Sequence, residues 1–144
     1  MKKAILIVVI VIALLPLIVH LKPKPFDPEA FLKAVGADGF QLTHVTDRDH
    51  PDLGSIRQIT FQVNGDFVNL YHFDDPGKLN VQMTMQQPDP EESFVKKMHL
   101  RKALGAAPDP NKKVTVVRNG MWMLVIMSDN EPMTNDVVKE FKKQ

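Results

Sequence analysis

The sequence predicts an α+β domain behind an N-terminal transmembrane helix, its antiparallel sheet built from two Asn-Gly hairpins and accompanied by three to four helices on one face. Three observations carry this. A single long apolar run opens the chain, two stretches of alternating apolar residues each turn at Asn-Gly, and Asp-Pro pairs stand where helices should begin.

The opening run, Ala4 to Val19, is sixteen apolar positions in a row, preceded by Lys2 and Lys3 and followed by His20, Lys22 and Lys24. A helix of that length rises about 24 Å, and lysines reaching outward at both ends extend it toward the roughly 30 Å of a hydrocarbon layer. A cleaved export signal is the rival reading, but its usual small-residue cleavage site has no counterpart in the bulky, charged and proline-rich residues that follow. The expectation is therefore a retained anchor over residues 1–21, with membrane lipid as partner of residues 4–21. A proline-rich spacer over 22–26 and one extracytoplasmic domain over 27–144 complete it. The short basic start favours a cytoplasmic N-terminus, and a chain without cysteine carries no thioether-linked lipid.

Eighteen Lys and Arg against seventeen Asp and Glu leave a formal charge of +1, too weak a field to gather nucleic acid. Lys96, Lys97, Arg101 and Lys102 cluster, but beside Glu91 and Glu92 on one expected helix, as a solvated face would.

In chain order, Asp27 caps a first helix with Pro28 in its first turn, and Ala30, Phe31, Ala34 and Val35 recur at helical spacing until Gly36. Phe40, Leu42 and His44 alternate with polar residues, giving a strand that leads into the polar loop His44–Asp52. Ile59, Phe61 and Val63 before Asn64-Gly65, and Val68, Leu70 and His72 after it, form a hairpin, because Asn and Gly both accept positive φ. Asp75-Pro76 opens a helix over 76–86, although Val81, Met83 and Met85 would also alternate as a strand. Asp89-Pro90 opens another, ended by Gly105. Lys113–Arg118 and Met121–Met127 flank Asn119-Gly120 as a second hairpin whose later strand, apolar on both faces, belongs inside the sheet with Trp122 in the core. Thr134 or Asn135 caps a last helix carrying Val137, Val138 and Phe141. The two hairpins read alike when their Asn-Gly pairs are superimposed, and an αββ duplication or convergence on good turns explains that equally.

The runs "ITFQVNGDFVNLYHFDDPGKL" and "VTVVRNGMWMLVIMSDNEPMTNDVVKEF" resemble small membrane-anchored extracytoplasmic proteins of Gram-positive bacteria with no assigned activity. The resemblance implies an anchored topology and a helix after Asp75; it brings no site residue with it.

For chemistry, His44, Asp47, Asp49, His50 and Asp52 are the candidate metal ligands, although Asp, His and Pro are ordinary turn residues and Pro51 stiffens the loop. Asp74 with Asp75 forms a carboxylate pair better used in capping. Ser55, Ser93 and Ser128 lie outside any nucleophile elbow. Met83 with Met85 and Met121 with Met123 have the spacing of thioether ligands for Cu(I), or of core methionines on one face of a strand. The reading adopted is a non-enzymatic, membrane-tethered interaction or sensing domain without cofactor, with another envelope protein as partner. The alternative is a divalent-metal-binding domain or metal-dependent enzyme using the 44–52 loop.

Overall fold

The computed structural model describes residues 24–48, 51–86 and 112–144. The expected anchor over residues 4–21, the helix expected after Asp89 and its basic cluster lie outside the described residues. Among the described residues no helix is long and apolar enough to cross a membrane.

The described chain is an α+β domain of five antiparallel strands and three helices, in the order α1 (Pro28–Ala37), β1 (Leu42–Arg48), β2 (Arg57–Val63), β3 (Asp66–His72), α2 (Pro76–Gln86), β4 (Val114–Asn119), β5 (Trp122–Met127) and α3 (Glu131–Lys143). The sheet runs β1-β2-β3-β5-β4, so β5 is interior, as its uniformly buried residues require. Asp27 caps α1 through its Oδ1, which accepts from the Glu29 and Ala30 amides at 3.0 and 3.2 Å. Asp75 does the same for α2, accepting from Gly77 and Lys78.

Strand registers sort the side chains onto two faces. Ile59, Phe61, Val63, Val68, Leu70, Trp122, Leu124 and Ile126 build the larger core with Phe31 and Val35 of α1 and Met133, Val137 and Phe141 of α3. Tyr71, Met123, Val125, Met127 and Val114 point the other way and meet Phe73 and Leu79, the latter from α2. Helices therefore cover both faces, not one as expected. The reason is β5, which has apolar side chains on both sides and needs a cover for each.

Other expectations need correction. The strand expected to end at His44 continues to Arg48, so most of the expected 44–52 loop is β-structure. A bulge between Thr43 and Thr46, with His44 at φ 53°, resets the register so that Asp47 stands opposite Ile59. As an edge strand with an exposed middle, β1 shows no apolar alternation there. The last helix starts four to five residues early: Asn130 caps it, its Oδ1 accepting from Met133 N at 3.1 Å, while Thr134 lies inside the helix. The second turn also moves by one residue. Asn119 pairs with Trp122, leaving Gly120-Met121 as the two-residue loop with Gly120 at φ 58°, the conformation a primed turn with glycine first requires.

That shift reveals a symmetry. Val63 pairs with Asp66 across the first turn as Asn119 pairs with Trp122 across the second, and on this correspondence Asn69 matches Val125. Those two residues pair with each other where β3 meets β5. The two hairpins are thus related by a local two-fold axis through the middle of the sheet. Superimposing the Asn-Gly pairs instead would exchange the faces of β3 and β5.

Candidate functional site: a groove beside an edge strand

The two-fold relation holds for the hairpins and breaks at the sheet's margins. The outer edge of β2 is covered by β1, whereas among the described residues no strand covers the outer edge of β4. Lys113 O accepts from Ser128 N at 2.9 Å, so Lys113, Thr115 and Val117 turn their backbone groups toward β5. By the alternation of an antiparallel ladder, the N–H and C=O groups of Val114, Val116 and Arg118 point outward.

Beside that edge runs a cavity of about 490 Å³, walled by Val114, Thr115 and Val116 of β4 and by Glu131, Thr134 and Asn135 of α3. Ser128 also lines it and donates its hydroxyl to Asp66, which pairs with the Lys112 ammonium. Ser128 Oγ in turn accepts from Asn130 N at 2.9 Å, tying the start of β3, the end of β5 and the cap of α3 into one rigid corner. Lys113 donates its backbone N–H to Asp129 Oδ1 at 2.9 Å and its ammonium to Glu131 at 3.3 Å, an exposed rim pair of small energetic weight.

Thr134 stands out in the groove wall. The residue is only 6% exposed, and its hydroxyl oxygen is buried without a hydrogen-bond partner. Its backbone N–H already donates to Asn130 O at 3.0 Å, in the helix ladder. A buried hydroxyl with nothing to bond is a standing cost of about 1–3 kcal/mol. At the far end of β4, Arg118 donates to Asn80 Oδ1 at 2.7 Å and to Gly120 O at 2.9 Å, both neutral acceptors, so its guanidinium charge is not matched by these contacts.

Two of the residues singled out for metal binding are engaged in ion pairs. Asp47 is held by Arg57 at 2.8 Å and Asp52 by Arg48 at 2.7 Å. His44 occupies the bulge, exposed. Asp49 and His50 lie outside the described residues. Among the described residues no three His, Asp or Glu side chains converge as a metal site. Asp75 is a helix cap and Asp74 makes a 3.9 Å pair with Lys78. Ser55 donates to Asp52 O, Ser128 serves the Asp66 corner, and Ser93 lies outside the described residues. Met83 sits on α2, so its spacing to exposed Met85 is helical and the two do not share a face, while Met123 is wholly buried.

Two further polar features escaped the sequence reading. Gln58, Thr60, Asn69 and Tyr71 form a buried cluster on the α2 side of the sheet: Thr60 Oγ1 donates to Asn69 Oδ1 at 2.5 Å, and Gln58 Nε2 reaches Asn69 Oδ1 at 3.3 Å. Burial pushes the Tyr71 phenol well above its ordinary pKa, so it stays protonated. On the other side, His72 stacks on Trp122 with ring centres 4.5 Å apart and planes 4° from parallel. Burial and the Arg57 charge lower its pKa against the opposing pull of Asp74. The groove itself had one sequence signal, Asn130 followed by Glu131-Pro132, the same cap-and-proline pattern as at Asp27-Pro28. Taken as the helix start, it places Thr134 on the buried side.

No family model, curated protein or solved structure matches the chain.

Proposed function

We propose that this protein is a membrane-anchored extracytoplasmic module that acts by non-covalent interaction with another envelope protein. The observation that carries the reading is the apolar run Ala4–Val19 between lysines, joined by a short spacer to a domain whose first aromatic residue is locked in place. The Phe26 ring lies 5.2 Å from Trp122, 4.9 Å from Phe141 and 5.8 Å from Phe31, centre to centre. Five spacer residues in an extended, proline-rich conformation span about 15 Å. A spacer of that reach keeps the domain close to the surface in which an anchor over 1–21 would sit. Asp27, Asp75, Asp47, Asp52, Asp66 and the Ser128 hydroxyl are committed to caps, ion pairs and a structural corner, which supports interaction over catalysis.

The test is to label intact cells producing the full chain with a membrane-impermeant amine reagent and, in parallel, to extract membranes with alkaline carbonate. The reading requires surface labelling of domain lysines such as Lys139 and Lys142, and retention in the membrane pellet. A full-length species released without detergent, or lysines labelled only after lysis, would overturn it.

A further inference from the structure

We infer that the outer edge of β4 is a strand acceptor: it takes an extended segment of a partner protein, laid antiparallel where the local two-fold places the counterpart of β1. The inference deepens the interaction reading above and rests on it for the partner's location.

Four observations meet at this edge. First, the fold already shows what such an edge accepts, because the equivalent edge of β2 carries β1, and Asn64 N donates across it to Gln41 O at 2.9 Å. On the two-fold correspondence Gln58, Thr60 and Gln62 of β2 match Val114, Val116 and Arg118 of β4, so the same backbone groups are presented on both edges. Second, those of Val114 and Val116 have no strand partner among the described residues, and strand addition satisfies them. Third, the adjoining cavity of about 490 Å³ is bordered by the edge itself and by Thr134 and Asn135 of α3, which leaves room for a side chain on the Thr115 face of an added strand. Fourth, Arg118 offers a guanidinium whose contacts are neutral.

Together these define the occupant. Residues opposite Val114 and Val116 share their face and should be apolar. The residue opposite Thr115 projects into the groove between β4 and α3 and should be small and polar. A carboxylate should stand opposite Arg118. A second copy of the chain fits less well: an antiparallel β4–β4 pair centred on Val116 would bring Arg118 diagonally against Lys112 of the other copy, a like-charge approach.

The probe is the capped heptapeptide Glu-Thr-Val-Ser-Val-Thr-Glu, palindromic so that it offers a carboxylate to Arg118 in either chain direction. It is titrated to about 1 mM into the full chain in detergent micelles, with amide chemical shifts and hydrogen exchange read residue by residue. Saturable binding should slow exchange at Val114 and Val116. N-methylation of both peptide valines, which removes the N–H groups facing β4, should abolish it, and replacing both glutamates by lysine should weaken it. Val116→Pro removes an outward N–H without touching the β5 ladder and should abolish binding with the fold intact. No binding, binding that leaves Val114 and Val116 unchanged, equal binding of the N-methylated peptide, or peptide-independent protection of these amides through self-association would each overturn the proposal. Surface labelling decides the membrane reading separately, since an edge that binds the probe on a cytoplasmic domain sinks that reading alone.

Discussion

At the scale of single residues, three side chains make different demands on the fold. Trp122 joins the larger core, stacks on His72 and receives Phe26, so Trp122→Ala should destabilise by about 3–5 kcal/mol, read from denaturant unfolding. An unchanged midpoint would remove it from the core. Thr134 predicts the opposite sign. Its hydroxyl has no bond to lose, so Thr134→Val, nearly the same shape, should raise stability by about 1 kcal/mol in the absence of a ligand. A loss of stability would mean that the hydroxyl is already satisfied. His72 introduces a pH dependence. Burial and Arg57 hold its folded pKa below the unfolded value, so the folded state prefers the neutral ring. Its contribution is complete above the unfolded pKa of about 6.5 and is lost as the pH falls through the lower folded value. His72→Phe keeps a ring on Trp122 but no proton, so it should flatten the decline in melting temperature between about pH 7 and pH 5. An equally steep decline in the variant would assign the effect to other groups.

At the scale of elements, legibility followed how local the signal was. The first hairpin could be read because Asn64 and Gly65 both take positive φ, at 50° and 88°, in the turn their chemistry favours. α1 could be read because Asp27-Pro28 is a complete start signal. The same logic misplaced two boundaries where competing residues sat side by side. Asn119-Gly120 looks like the first turn, yet the structure uses Gly120-Met121 and leaves Asn119 in the strand, where its side chain donates to Phe141 O at 2.7 Å. A contact with a helix twenty-two residues away, absent from any local window, accompanies that register. Gly120→Ala should therefore cost about 1 kcal/mol through left-handed strain alone, since an added Cβ meets nothing within 4 Å. α3 was misplaced because Thr134 and Asn135 are good capping residues in their own right. Asn130→Ala should cost about 1 kcal/mol and Asn135→Ala essentially nothing. Equal costs would contradict the observed helix start.

At the scale of the whole molecule, the sheet order, the cover on both faces and the groove were out of reach of local patterns. They depend on β3 meeting β5, a pairing no turn or cap encodes. The alternation of β5 on both faces announced an interior strand, but not which neighbours it would take. The groove was less legible still, because its walls come from β4 and α3 and its most informative atom matters for a bond it does not make. Of the metal candidates, Asp47 and Asp52 are engaged by Arg57 and Arg48, partners that the local density of the sequence did not announce. Phe26 shows how such long-range packing bears on the proposed role. Between Lys24-Pro25 and Asp27-Pro28 it lies outside any helical or strand pattern and looks like spacer, yet its ring closes a cluster with Phe31, Trp122 and Phe141. This ring is thereby the point at which the start of the described chain is fixed to the core. Phe26→Ala removes three ring contacts of about 0.5–1.5 kcal/mol each, less than additive, together with the burial of part of a phenyl ring. The variant should lose about 2 kcal/mol of stability, and proteinase K should cut next to position 26 several-fold faster in the folded variant than in the parent chain. Lost stability with unchanged cleavage would show that this stretch is held by something other than the Phe26 ring.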